Sequence, residues 1–318
     1  MQKYVVCLMG PTASGKTRLS ILLAQSYPFE IVSVDSAMVY RGFDIGTSKP
    51  AIWELQTIPH HLIDICTPEM PYSVGQFYKD ALKKIALIHT KDRIPLLVGG
   101  TMLYFYALQH RFSGLPIAHY EIRKKILREA KEIGWTALHK KLKVVDPRSA
   151  VKINQNDTQR IQRALEVFEA TGQPLSNCQN LNRLNSSYEF INIIISPANR
   201  EDLYRNIEKR FDQMLQNGFL DEVKKLYQKN SNFVNLNLPA FRTVGYRQVW
   251  PYLIGRCNYA TMRYRAIFAT RHLAKKQITW LKRWSRAKRF DSNIEQTEQL
   301  AAHTIHYLRS YNLTNFIR

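Results

Sequence analysis

Hydrophobic and polar positions along the chain follow two rhythms. The first pairs short apolar runs with helical stretches. Tyr4–Met9, Glu30–Val34, Ile94–Val98 and Tyr188–Ser196 are compact, β-prone runs. Leu19 and Ile21–Ala24, Ser73–His89, and the segment from Thr101 to about Gln109 read as helices. Strands alternating with helices predict a parallel sheet joined by right-handed crossovers. The second rhythm is helical only. Tyr120–Ile133, Trp135–Leu142 and Asp157–Thr171 are expected helices. The last carries an apolar stripe at Ile161, Leu165 and Phe168 and is stopped by Gly172 and Pro174. This stretch interrupts the α/β alternation. The expected organisation is therefore a core of residues 1–116 and 184–318 with a helical subdomain, 117–183, inserted between its halves. In the second half, helices are expected from Asn199 and over Tyr259–Trp284.

Composition narrows the class. The chain has 318 residues, 45% hydrophobic and 22% charged, a globular balance that excludes disorder and collagen-like repeats. The first apolar run is shorter than a signal-peptide core, which takes about 7–15 residues. No run approaches the roughly 20 residues of a membrane helix. Cys7, Cys66, Cys178 and Cys257 are scattered without a C-x-x-C pair, which argues against a zinc finger and fits a reducing cytoplasm.

Charge adds a partner. Forty-six Lys and Arg against 25 Asp and Glu leave +21, a balance that favours a polyanion. Residues 240–290 hold 13 basic and no acidic residues, with ten aromatics interleaved, among them Phe241, Tyr246, Trp250, Tyr264, Trp280 and Trp284. Cations neutralise phosphates and aromatic faces stack on unpaired bases. Most of these aromatics are also expected in the core of a long amphipathic helix. Residues 117–183 add 13 basic against 7 acidic.

Immediately after the first strand comes Gly10-Pro11-Thr12-Ala13-Ser14-Gly15-Lys16-Thr17, followed by a helical run. This is the G-x-x-x-x-G-K-[ST] phosphate loop in its required strand–loop–helix setting. Its backbone N–H groups and the helix N-terminus cradle an anion, Lys16 adds charge, and the Thr17 hydroxyl can hold Mg²⁺. ATP, GTP and other diphosphates all use such a cradle, so the reaction must be read elsewhere. Asp35 and Thr101 also fall at strand C-termini, where ligands of parallel sheets collect. Asp35 is open to three roles: metal-shell carboxylate, general base, or N-cap. Arg210 lies about 20° from Leu203 on a helical wheel, inside the stripe of Leu203, Ile207, Phe211 and Met214. A cation there needs a partner, and a diphosphate would serve. Its stem could instead pack while the head reaches water. His60-His61 is not expected to bind zinc, because adjacent residues do not face one ligand.

These motifs resemble a known family. To the phosphate loop are added Asp35-Ser36-Ala37-Met38-Val39-Tyr40-Arg41-Gly42-Phe43-Asp44-Ile45-Gly46-Thr47-Ser48-Lys49-Pro50, His60-His61-Leu62-Ile63-Asp64 and Val98-Gly99-Gly100-Thr101. Gln159-Arg160-Ile161-Gln162-Arg163-Ala164-Leu165-Glu166 and Phe241-Arg242-Thr243-Val244-Gly245-Tyr246-Arg247-Gln248 follow. Together they resemble bacterial tRNA dimethylallyltransferases (tRNA isopentenyltransferases) from about residue 3 to 285. The zinc finger of eukaryotic relatives has no counterpart here. The resemblance implies an α/β, P-loop NTPase-like core with a central parallel sheet and an inserted all-helical, tRNA-binding subdomain. It implies transfer of a dimethylallyl group from dimethylallyl diphosphate to the exocyclic amine of adenosine 37 in tRNAs reading U-starting codons.

Under that resemblance Asp35 is the general base, Thr101 hydrogen-bonds nearby, and Lys16 acts on the leaving group. Gly10, Pro11, Thr12, Ala13, Ser14, Gly15, Lys16, Thr17 and Arg210 bind diphosphate, with Mg²⁺ on Thr17. The tRNA contacts are Asp35, Ser36, Ala37, Met38, Thr101, Arg123, Gln159, Arg160, Ile161, Gln162, Arg163, Ala240, Phe241, Arg242, Thr243, Val244 and Gly245. The partners implied are the tRNA anticodon stem-loop and dimethylallyl diphosphate, with no membrane, on a cytoplasmic monomer. Two rival readings are a P-loop small-molecule kinase, which would turn over ATP without RNA, and a non-enzymatic RNA-binding protein, which Lys16→Ala would leave intact.

Overall fold

The computed structural model describes residues 3–110, 120–178, 187–229, 238–293, 297–311 and 313. Two compact units emerge: Met1–Tyr106 with Ser187–Arg318, and Ala107–Ser186. The expected insert limits, 117 and 183, lie outside the described residues.

The chain begins with β1 (Lys3–Met9), α1 (Lys16–Ser26), β2 (Phe29–Val34), α2 (Ile52–Thr57), β3 (His60–His61), α3 (Val74–His89), β4 (Ile94–Gly99) and α4 (Met102–Gln109). The second unit holds α5 (Tyr120–Val145), α6 (Pro147–Lys152), α7 (Thr158–Thr171) and α8 (Leu175–Cys178). The chain then returns with β5 (Tyr188–Ser196), α9 (Arg200–Gln216), α10 (Phe219–Lys229) and a 3₁₀ turn at Ala240–Arg242. It ends with α11 (Tyr246–Leu253), α12 (Tyr259–Leu281), β6 (Lys288–Asp291) and α13 (Thr297–Arg309).

All strand pairs are parallel, in the order β3-β2-β4-β1-β5-β6. Val6 stands between Leu96 and Ile191 in register. Both faces of the sheet are covered. Val5 to Met9 are fully buried, which is why these strands read as unbroken apolar runs rather than as alternating ones. On one face Val6, Leu8, Leu96 and Ile193 pack with Leu19 and Leu23 of α1 and with Leu300 and Leu308 of α13. β2 and β4 lie on one side of β1 and β5 on the other. The carboxyl end of β1 is therefore a topological switch point, where parallel sheets open a crevice. The fold is an α/β, P-loop-like one.

The four strands expected from the sequence all form. β3 and β6 add an edge each; at two and four residues, they are too short to carry a periodic signal. The long basic helix ends at Leu281 rather than Trp284.

The helical unit has its own core. Ile126, Leu138, Leu142, Ile161, Leu165 and Val167 pack together. α5 is broken at Gly134, whose φ of 81° and ψ of 159° leave the helical region, so its two halves match the two helices expected. Asp157 caps α7 by accepting from Arg160 N–H, and Gly172 ends it in the left-handed conformation.

Candidate active site

The loop after β1 is shaped by two left-handed residues, Ala13 (φ 63°) and Gly15 (φ 81°). Ala13 occupies a region that L-residues seldom visit, and such turns point successive N–H groups inward as an anion nest. α1 then starts without a capping side chain and without an acid in its first turn. Its N-terminal N–H groups therefore keep their positive field for a ligand. The Lys16 ammonium folds back onto the loop, donating to the Pro11 carbonyl at 2.5 Å and Ser14 Oγ at 3.4 Å. Burial and then the neighbouring Arg210 lower its pKa from 10.5 to about 7, against a smaller upward pull from Asp35.

Arg210 lies where the stripe of α9 placed it, beside buried Leu203, Ile207 and Phe211. Its head does not escape to water. Nε donates to Ser48 Oγ at 2.8 Å, Nη1 to Thr12 Oγ1 at 3.2 Å and Nη2 to the Thr47 carbonyl at 3.2 Å. All three partners are neutral. Burial depresses the guanidinium pKa, opposed by the Asp35 charge. Two buried basic groups thus stand at the phosphate loop, and the Asp35 carboxylate acts on both.

That carboxylate ends β2. Asp35 Oδ1 accepts from Ala37 N–H at 2.8 Å and Met38 N–H at 3.3 Å. It caps a turn rather than a helix. Oδ2 has no protein partner among the described residues. Thr101, past β4, accepts from Ser36 N–H at 3.1 Å and donates to Ser36 Oγ at 3.3 Å. The loop that supplies Thr47 and Ser48 is held by Glu222 of α10. Its carboxylate accepts from the N–H groups of Asp44, Ile45 and Gly46 and from the Tyr246 hydroxyl.

One cavity, of about 490 Å³, joins Asp35, Thr101 and Arg210, within the usual size range for small-molecule sites. Thr12, Ala13, Asp35, Ser36, Ala37, Thr101 and Arg210 line it, together with Arg242, Thr243, Val244 and Gly245. Ile207, Phe211, Met214 and Leu273 give it an apolar wall, and Lys276, Gln277 and Trp280 of α12 complete it. A second cavity shares Thr12, Asp35 and Arg210 and contains Ser14 to Thr17 and Met38. Thr17 has no hydroxyl partner among the described residues, and Asp35 shares that wall. That hydroxyl suits Mg²⁺, which takes its remaining ligands from phosphate oxygens and water. No cluster of three His, Cys, Asp or Glu residues exists among the described residues. His60 and His61 are accounted for separately, on Ile58 O and the Glu30 carboxylate.

Other sequence-nominated residues divide. Ala240 and Phe241 are buried, so only their backbone could meet a partner, whereas Arg242 to Gly245 face the cavity. In the helical unit Ile161 is likewise committed to the core. Gln159 and Arg160 are exposed, with Arg160 near Asp157. Arg123 and Arg163 both pair with Glu166, itself 1% exposed, at 3.3 and 3.2 Å. Gln162 Nε2 is buried without a partner among the described residues.

The acid-free tract is corrected in its charge. Its Arg263 and Arg271 are neutralised from α9, by Glu208 and Asp212. Three of its aromatics are not core: Tyr259, Tyr264 and Phe268 are exposed on α12, Tyr264 at 68%. Gln277 escaped the sequence reading although it is the one polar residue among the buried side chains of α12. That position on an apolar stripe was the available signal, the same one that singled out Arg210.

The sequence model described as IPP transferase matches residues 38–284, and one described as isopentenyl transferase matches residues 3–70. A tRNA dimethylallyltransferase of Coxiella burnetii (strain Dugway 5J108-111) is 57% identical over 98% of both chains. One from Legionella pneumophila (strain Corby) is 51% identical over 92% of this chain and 93% of its own. The full-length tRNA isopentenylpyrophosphate transferase of Bacillus halodurans superposes with a TM-score of 0.71 at 34% identity, covering 99% of this chain and 98% of that one. A eukaryotic dimethylallyltransferase acting on tRNA gives 0.86 at 26% identity, covering 99% of this chain and 80% of that one. By its sequence along nearly its whole length and by its fold, the chain belongs to the tRNA dimethylallyltransferase (IPP transferase) family.

Proposed function

We propose that this protein transfers the dimethylallyl group of dimethylallyl diphosphate to the exocyclic amine of adenosine 37 in tRNAs that read codons starting with U. The observation that carries the reading is the shared cavity. The anion cradle with its buried Lys16 and Arg210 opens onto one cavity, the acceptor-side residues Thr101 and 242–245 onto the other, and both include Asp35, whose Oδ2 has no protein partner among the described residues.

The phosphate loop, Lys16 and Arg210 bind the diphosphate, and Ile207, Phe211, Met214 and Leu273 enclose the five-carbon chain. The adenine enters from the side of Asp35, Thr101 and residues 242–245, which requires it to leave the anticodon stack. A bond forms between the amine nitrogen and the allylic carbon as the carbon–oxygen bond breaks. The bonding electrons leave with the diphosphate, and the amine proton passes to Asp35 Oδ2. An exocyclic adenine amine is a weak nucleophile, so a positioned base matters. Charge develops on the departing diphosphate, where preorganised N–H groups and the two cations act most strongly. A divalent metal, Mg²⁺, held by Thr17 and the diphosphate would neutralise part of that charge. The tRNA anticodon arm binds through the free cations of residues 240–290 and through Gln159 and Arg160.

The test is substrate dependence. Diphosphate should be released only when dimethylallyl diphosphate and tRNA are both present, with no requirement for ATP. ATP hydrolysis or phosphate transfer in the absence of RNA would replace this reading with a kinase.

A further inference from the structure

Gln277 lies on α12, far in sequence from both segments it touches. Its Oε1 accepts the Thr12 N–H and its Nε2 donates to the Gly100 carbonyl, each at 2.8 Å. These partners fix the amide orientation, since a flipped group would set donor against donor and acceptor against acceptor. The side chain is 9% exposed, so neither bond can be exchanged for bulk water without cost. The contact also explains one glycine. A Cβ on Gly100 would stand 2.5 Å from Gln277 Nε2 and 3.5 Å from its Cδ.

The two anchors belong to different segments of the cavity wall, the loop after β1 and the end of β4. Thr12 is in the phosphate loop, and its hydroxyl receives Arg210. Gly100 precedes Thr101, whose hydroxyl holds Ser36 next to Asp35. Substitution at an allylic carbon needs nucleophile, carbon and leaving group in register, and a displacement of about 1 Å costs about 10²-fold in rate. Among the described residues, Gln277 is the one side chain that hydrogen-bonds both the anion loop and the strand end carrying Thr101. We propose that Gln277 is a positioning residue for prenyl transfer, a clamp that registers the leaving-group loop against the acceptor face. The role rests on the reaction proposed above.

The primary test is Gln277→Glu, assayed for turnover and for both KM values across pH. An ionised carboxylate still accepts from Thr12 but sets a second acceptor against the Gly100 carbonyl. At pH 8, kcat should fall by about 10²-fold while the KM for tRNA stays within about 2-fold. Protonation restores the donor, so the ratio of variant to wild-type kcat should climb about tenfold as pH falls to 6. A second test is the cycle of Gly100→Ala and Gln277→Ala, read by kcat. Gly100→Ala should be damaging in the wild-type background and nearly silent once Gln277 is truncated, because the colliding atoms are gone. A Gln277→Glu kcat within 2-fold of wild type, a pH-independent ratio, or additive costs in the cycle would each overturn the clamp. A wild-type protein that makes no prenylated tRNA would instead overturn the reaction itself.

Discussion

The two ends of the cavity are built in different ways. The anion end is largely a single stretch of chain, residues 10–17, whose turn geometry and helix N-terminus follow from local sequence. The acceptor end is assembled from the ends of β2 and β4, the turn at 240–245 and a face of α12. The anion end relies on backbone dipoles and two buried cations; the acceptor end relies on a few side chains set by long-range hydrogen bonds. Damage at the first should abolish the leaving group's support outright, whereas damage at the second should spread over several smaller contributions.

The largest effect is expected at the anion end. Arg210→Met or Lys16→Met should lower kcat/KM for dimethylallyl diphosphate by about 10³-fold, with tRNA affinity within about 2-fold in a filter-binding assay. Comparable losses of tRNA affinity would show that the two ends are not separable. Next is the base. Asp35→Asn should lower kcat by about 10²-fold or more and leave the diphosphate KM nearly unchanged in steady-state kinetics. An unimpaired Asp35→Asn enzyme would remove the carboxylate from the chemistry.

The buried lysine gives a third, pH-dependent effect. With its pKa near 7 in the free protein, Lys16 is largely neutral at pH 8. A bound diphosphate favours the ammonium form, so binding should take up a proton. The affinity gained from the ammonium is present below pH 7 and is lost as pH rises above it. Calorimetry with inorganic diphosphate in buffers of different ionisation enthalpy should show uptake of up to about one proton at pH 8. Lys16→Met should show less. The sign is opposite for stability: the unfolded chain binds more protons between pH 7 and 10.5, so this group makes the fold more stable as pH rises through that window.

The smallest effect belongs to the acceptor side. Arg242 lines the cavity and has no acidic partner among the described residues. Arg242→Ala should weaken tRNA binding several-fold and lower the slope of log affinity against log salt by about one. Arg263→Ala should change that slope little, because Glu208 and Asp212 already neutralise its guanidinium.

This contrast also explains what the sequence could and could not disclose. The phosphate loop was legible because its function is a property of consecutive residues. The buried strands were legible because both faces of the sheet are covered, and Arg210 because a charge stood on an apolar stripe. Counting charges misled where partners come from elsewhere in the chain: the tract 240–290 has no acids of its own, yet α9 supplies them. The aromatics of α12 could not be sorted into buried and exposed because helical spacing shows which side chains share a face, not which face is covered. The role of Asp35 is not legible in sequence, because whether a carboxylate caps a turn or leaves an oxygen free depends on the backbone around it; here Oδ1 caps a turn and Oδ2 has no partner among the described residues. Its likeness to a family gave the acceptor residues, but it did not reveal that Ala240, Phe241 and Ile161 are buried.

The most direct measurement is mass spectrometry of nucleosides from tRNA incubated with the protein and dimethylallyl diphosphate, without ATP. The proposed reaction leaves a dimethylallyl group on the exocyclic amine of one adenosine, at position 37, in tRNAs reading U-starting codons, with an equal amount of diphosphate released. Unmodified adenosine after exhaustive incubation, or prenylation on another nucleoside, would contradict it.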